Sequence, residues 1–272
     1  MVPRPTQKIT ERMSRITYKI AVMSGKGGVG KSTVSVNIAE ALAQSGARVG
    51  ILDVDIHGPN VPTMMGVEDA RFVTREESDG EDTVTVIEPI IAESGIRLAS
   101  VGLIGYDRDS ALIWRGPMKL GLIKQFLEDV EWGELDYLII DTPPGTGDEV
   151  MTVCQYIPEL SGSVIVTTPQ AVSVLDARKS VDFARKAGVP VLGMVENMSD
   201  PADGPKLFGS GGGRTAASEL EIAFLGTIPM DSDVVPAGDA GVPVVRRNPE
   251  GPAALAMHSL TNSMRLEIAR RS

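Results

Sequence analysis

The chain has 272 residues, 42% of them hydrophobic, a single cysteine and a formal net charge of −10. That length accommodates one large α/β domain or two small ones, and the apolar content fills a core without metals or disulfides. The acidic balance argues against a general nucleic-acid binder, which needs a cationic surface, and one thiol excludes an intrachain disulfide. The lone cysteine fits a reducing compartment. The first residues lack the apolar core of a signal peptide. No run of about 18 apolar residues offers a membrane span. The expected location is cytoplasmic, with neither membrane nor nucleic acid as partner.

In chain order, residues 1–17 place Ile9, Met13 and Ile16 at i, i+4 and i+7. That spacing predicts a short arm helix docked on the body, with a solvated tail as the alternative. Residues 18–272 read as one domain. Residues 18–24 (YKIAVMS) predict a buried strand, 32–44 a helix stopped by Gly46, and 48–55 (RVGILDVD) a second strand. Pro59, Pro62 and Gly66 make 56–66 a loop, and the polar run 76–82 reads as a turn. Further strands are expected at 83–87, 96–101, 136–141, 163–168, 190–195 and 223–228. Helices are expected at 118–130, 148–157, 172–187, 214–220 and 253–270, and a Gly/Pro-rich loop at 199–213. Strands alternating with helices imply an α/β fold, a mainly parallel sheet covered on both faces.

Residues 25–33 read GKGGVGKST, matching G-x-x-x-x-G-K-[ST] between a strand and a helix. This is the phosphate cradle of a P-loop NTPase. Gly25, Gly27, Gly28 and Gly30 let backbone approach a phosphate chain, and Val29 contributes its amide. A helix N-terminus adds partial positive charge. Lys31 reaches the β- and γ-phosphates, the Ser32 hydroxyl ligates Mg²⁺, and Thr33 bonds the α-phosphate. Acidic residues at neighbouring strand ends complete such a site. Asp53 and Asp55 end one strand with side chains on one face. Asp141 ends another and acts through Mg²⁺-bound water. Asp55 is placed to orient the attacking water, and Asp53 to support the Mg²⁺ shell. Pro143, Pro144 and Gly145 form a stiff turn able to sense the γ-phosphate. His57, two residues past Asp55, reads as loop packing.

Several segments stand in a recognisable order: AVMSGKGGVGKSTVSVNIA, LDVDIHGPNVPTMMG, IWRGPM, DTPPGTGDEVMT, TTPQAVSVLDARKSVDF, VENMS, LFGSGGG and IPMDSDV. Together they resemble the Mrp/ApbC family of iron–sulfur cluster carrier ATPases. That family has the deviant P-loop of the MinD/ParA class. The resemblance implies ATP and Mg²⁺ as ligands, ATP hydrolysis, and a homodimer in which Lys26 reaches the partner's nucleotide. It implies that Asn197 binds adenine, that Pro229 and Met230 wall the base, and that Arg115 lies by the dimer face. It also implies apo iron–sulfur clients or assembly proteins as partners. In that family a C-x-x-C pair lies between the NMS and FGxGGG segments. Here residues 199–208 read SDPADGPKLF, with no cysteine. The usual route to a bridging cluster is therefore closed, since such a site takes four thiolates. Cys154, on an apolar helical stretch, reads as a buried small hydrophobe. Asp200 and Asp203 offer oxygen ligands, which suit a cluster poorly. The GSGGG run at 209–213 reads as a flexible loop at the dimer edge, or as a second phosphate loop. The alternative function is a MinD/ParA-like switch that positions a partner without cluster cargo.

Overall fold

In the central strand, β1 (Ile16–Ser24), Ile20 and Val22 turn to one side and Ala21 and Met23 to the other, and all four are buried. A strand buried on both faces must be covered twice, and the rest of the chain supplies the two layers. The computed structural model describes residues 5–79, 82–104, 116–201 and 206–271. Arg115 and Asp203, named above, lie outside those residues.

The first half contains α1 (Gln7–Ser14), β1, α2 (Lys31–Gln44), β2 (Val49–Asp53) and α3 (Val61–Met64). It continues with β3 (Val73–Asp79), β4 (Asp82–Glu88), β5 (Ile90–Ile91), β6 (Arg97–Ser100), α4 (Gly116–Asp129) and β7 (Leu135–Asp141). The second half contains α5 (Asp148–Tyr156), β8 (Gly162–Thr167), α6 (Ala171–Lys186), β9 (Val191–Ser199) and α7 (Gly212–Glu219). It ends with β10 (Phe224–Pro229), α8 (Val234–Asp239), α9 (Val244–Arg247) and α10 (Pro252–Ala269). The large sheet has the order β10-β9-β8-β1-β7-β2-β6-β5. Every pairing in it is parallel except β5 with β6. The expected parallel α/β sheet is what forms.

Helices α2 and α10 cover one face, with α9 and the short α8 filling beside them. The other face is covered by α1, α4 and α5 over one half and by α6 and α7 over the other. The order of β8, β1 and β7 makes β1 a switch point. The chain leaves β1 for α2 and β2 on one side, while β8, β9 and β10 build the other. Ligands of open parallel sheets bind outside the carboxyl ends of such strands.

Two expectations need correcting. The acidic stretch 76–82 is not only a turn, since β3 and β4 form an antiparallel ribbon outside the large sheet. Residues 73–76 are exposed on both faces of that ribbon. Strand β3 therefore shows no apolar alternation from which a strand is read, whereas β4 contains the strand expected at 83–87. The strand containing Asn197 runs on to Ser199, past the expected end at 195. The short α3, α8 and α9 also went unread, each spanning too few residues to show a helical period.

The arm is a docked helix, as its spacing predicts, but Ile16 already belongs to β1. Thr6 caps it by accepting from the Ile9 amide at 3.3 Å. Lys8 and Arg12 pair with Asp129 and Glu131 at 2.6 and 3.2 Å. Such partly exposed pairs are worth at most about 1 kcal/mol each. Burial decides the docking, because Ile9 and Met13 are 0% exposed. Lys19, itself buried, donates from Nζ to the Met13 and Ile16 carbonyls and closes the end of the helix. Met13→Ala is expected to destabilise the whole domain by about 2–5 kcal/mol in urea unfolding. An unchanged midpoint would mean that the arm detaches freely.

Candidate functional site

The loop from β1 into α2 is shaped by its glycines. Gly28 and Gly30 take φ of 77° and 80°, a left-handed region that side chains disfavour. Gly25 is needed for space, because a Cβ there would overlap the backbone of Asp176 on α6. The loop borders a cavity of about 160 Å³, whose walls include Lys26, Lys31, Ser32, Asp55 and Pro144. A second cavity of about 180 Å³ lies between α2 and α8, and Thr33, Asn60 and Met64 border both. This continuity suits a ligand with an anionic end and a bulkier, less polar end.

Three parallel strands bring the acidic groups together. Register places Asp53 beside Asp141 on one side and beside Ser100 on the other. The period of two turns all three toward α2. Asp141 is 0% exposed and meets three donors. Lys31 Nζ lies 2.9 Å and Ser35 Oγ 2.7 Å from its Oδ1, and Ser32 Oγ lies 2.6 Å from its Oδ2. Asp53 Oδ2 accepts from Ser100 Oγ at 2.7 Å, and its Oδ1 from the Asp55 amide at 3.0 Å. Asp55 Oδ2 lies 3.6 Å from Lys31 Nζ.

Burial alone would lower the Lys31 pKa. The charge and hydrogen bond of Asp141, then Asp55 and Asp53, outweigh burial and hold it above the ordinary lysine value. Burial, followed by the charge of Asp141, pushes Asp53 up to about 8 against its hydrogen bonds. Burial also raises Asp55, while Lys31 opposes the rise. A serine hydroxyl among carboxylates is the hard oxygen donor set that Mg²⁺ takes. Asp55 Oδ1 is buried without a hydrogen-bond partner, and the residue borders the phosphate cavity. Among the described residues no three His, Cys, Asp or Glu side chains form a ready-made cage. Mg²⁺ needs none where phosphates and waters supply most ligands. The residues present fit that ion.

The model of the NUBPL iron-transfer P-loop NTPase family matches residues 15–265. The chain belongs to this family. Among relatives, the iron–sulfur cluster carrier protein of Methanocaldococcus jannaschii is 50% identical, over 88% of this chain and 81% of its own. A protein of the same name from Synechocystis is 49% identical over 96% of this chain and 74% of its own. A nucleotide-binding protein of Archaeoglobus fulgidus in complex with ADP is 38% identical, with a TM-score of 0.75 over 92% of this chain and 96% of that one. The Mg-ADP complex of Pyrococcus horikoshii MinD shares the fold, with 24% identity and a TM-score of 0.63 over 90% of this chain and 94% of that one.

Within this family member, Lys31, Ser32, Asp55 and Asp141 converge as their sequence positions suggest. Lys26 is half-buried at the rim, and its ammonium makes no ion pair among the described residues. Asn197 points at the loop itself, donating from Nδ2 to the Val29 carbonyl at 2.9 Å. Pro144 lines the cavity, and the Gly145 amide donates to the Ser24 carbonyl at 2.7 Å. His57 is exposed beside the site. Cys154 is half-buried on α5, where burial pushes its thiol up to about 11.

The GSGGG run is organised, not loose. Glu196 is 0% exposed and accepts from the Gly211 and Gly213 amides at 2.8 and 2.6 Å. An internal carboxylate thus takes the amides that a second phosphate would need. Asp200 accepts from the Leu207, Phe208 and Gly209 amides, the contact with Phe208 contributing most to a lowered pKa. No helix among the described residues is long and apolar enough to cross a membrane. Sequence reasoning missed Ser35 and Ser100. Ser35 stands one helical turn after Lys31, but Ser100 is set beside Asp53 only by strand register.

The Asp53 shift fixes a pH dependence. Its folded pKa of about 8 lies above the ordinary value of 3.8. Between those values the folded chain holds a proton that the unfolded chain has released, so stability falls as pH rises. Asp53→Asn removes that titration. The stability of the variant relative to wild type is expected to increase from about pH 5 to about pH 8 in urea unfolding. A constant difference would show Asp53 ionised throughout.

Proposed function

We propose that this chain is a homodimeric ATPase that binds Mg-ATP at residues 25–33 and serves transfer of iron–sulfur clusters to apoproteins. The observation that carries this reading is the meeting of Lys31, Ser32 and Asp141 beside a phosphate-sized cavity. The loop amides and Lys31 bind the phosphates. Thr33 lines the phosphate cavity and marks the position of the α-phosphate. Asn197 spends one N–H on Val29, which leaves its second N–H and its carbonyl for an adenine edge. Pro229 and Met230, which line neither cavity, wall the base only as the family resemblance implies.

Bound Mg²⁺ would neutralise charge developing on the phosphates, held by Ser32 and, through water, by Asp141, with Asp53 supporting from behind. Asp55, a carboxylate on the cavity wall, orients the attacking water. Lys26 reaches the nucleotide of the partner subunit, so ATP favours the closed dimer and hydrolysis reopens it. Cluster cargo is the step in which this chain departs from the C-x-x-C pattern. With Cys154 as its single thiol, held protonated by burial, the chain leaves the cluster to thiolates of a client or assembly protein.

Lys31→Ala is expected to weaken ATP binding by two orders of magnitude or more, on the order of 3 kcal/mol, in isothermal titration. Wild-type affinity in the variant would remove the cradle reading. Lys26→Ala is expected to keep ATP affinity within a few-fold yet lose ATP-induced dimerisation and turnover. Dimers of wild-type abundance in light scattering would overturn the cross-subunit role.

A further inference from the structure

Asp141 has three side-chain donors, and two of them belong to the nucleotide. Lys31 and Ser32 both line the phosphate cavity. On the reading above they turn to phosphate and metal when the nucleotide binds. A carboxylate with 0% exposure would then lose most of its hydrogen-bond partners. The third donor, Ser35, is of a different kind. It lines neither cavity, is itself 0% exposed, and sits one turn deeper in α2 on the same side as Lys31.

The Ser35 hydroxyl has one proton and two acceptors in reach, Asp141 Oδ1 at 2.7 Å and the Lys31 carbonyl at 3.1 Å. The shorter contact goes to the carboxylate, and a charged acceptor makes the stronger bond. We infer that Ser35 is a positioning residue for the metal site, holding Asp141 Oδ1 so that Oδ2 faces the Mg²⁺ shell once Lys31 and Ser32 have left. Ser35 touches neither nucleotide nor metal. Its effect passes through Asp141, as partners behind metal shells commonly act.

This inference rests on the nucleotide reading, and its test separates the two. The probes are ADP without divalent metal, followed by Mn²⁺ titrated into the protein–ADP complex with free Mn²⁺ read by electron paramagnetic resonance. Ser35→Ala is expected to weaken Mn²⁺ binding about tenfold. Metal-free ADP affinity should stay within about twofold of wild type, since no cradle donor is removed. Thermal unfolding of the ligand-free variant checks that it folds. Unchanged Mn²⁺ affinity would overturn the inference. An equal loss of metal-free ADP affinity would also overturn it, because that is the signature of a damaged cradle. A wild-type protein that binds no ADP would overturn the nucleotide reading itself, and the Ser35 role with it.

Discussion

The end of β7 delivers a carboxylate into the protein interior, directly against the first turn of α2. An unpaired charge in that position costs several kcal/mol, so Asp141 must be met by donors wherever the chain folds this way. Lys31, Ser32 and Ser35 meet it, and all three come from one helix start. The contact therefore fixes α2 against the sheet and the loop before α2 against the strand ends. It also makes Lys31 a buried cation with carboxylates as its neighbours. A ligand that draws Lys31 and Ser32 away disturbs the interaction that holds the helix in place, which joins occupancy of the loop to the packing of α2.

The end of β9 makes a second connection. Three successive residues there do separate work. Glu196 gathers the Gly211 and Gly213 amides, Asn197 holds the Val29 carbonyl, and Met198 takes a left-handed φ of 55° between Asn197 and Ser199. Ser199 returns a hydroxyl to Glu196 at 2.6 Å. The loop before α7 is thus tied to the same strand end that steadies the phosphate loop. Asp200 closes the outer part of that loop through three backbone amides.

What the sequence makes legible follows from how local each signal is. The glycines and Lys31 are readable because backbone approach and phosphate charge demand those residues at fixed spacing within one loop. Asp53, Asp55 and Asp141 are readable as charges at the ends of apolar runs. Ser35 and Ser100 are not, because serine is common and their importance appears only once register sets Asp53 beside Ser100 and packing sets α2 on Asp141. Strand β3 escapes because its residues 73–76 are exposed on both faces, and α8 and α9 because they are too short for a period. The hold of Asn197 on the loop is a contact across 168 positions, beyond any pattern in the chain.

The charge balance of the site leads one step further. Asp53, Asp55 and Asp141 crowd around one buried ammonium, and burial, then the charge of Asp141, raises Asp53 to about 8. A polyphosphate entering that cavity adds negative charge next to carboxylates already in excess. Lys31 cannot neutralise both at once. Binding therefore calls for positive charge that the cavity floor does not contain. Helix α2 contributes part of it through its N-terminus, a divalent cation among hard oxygens a larger part, and a lysine free of ion pairs at the rim the remainder. Among the described residues Lys26 is such a lysine. The excess of acid at the floor is thus the physical reason that a nucleotide here would arrive with its metal and would reward a second cation closing over it.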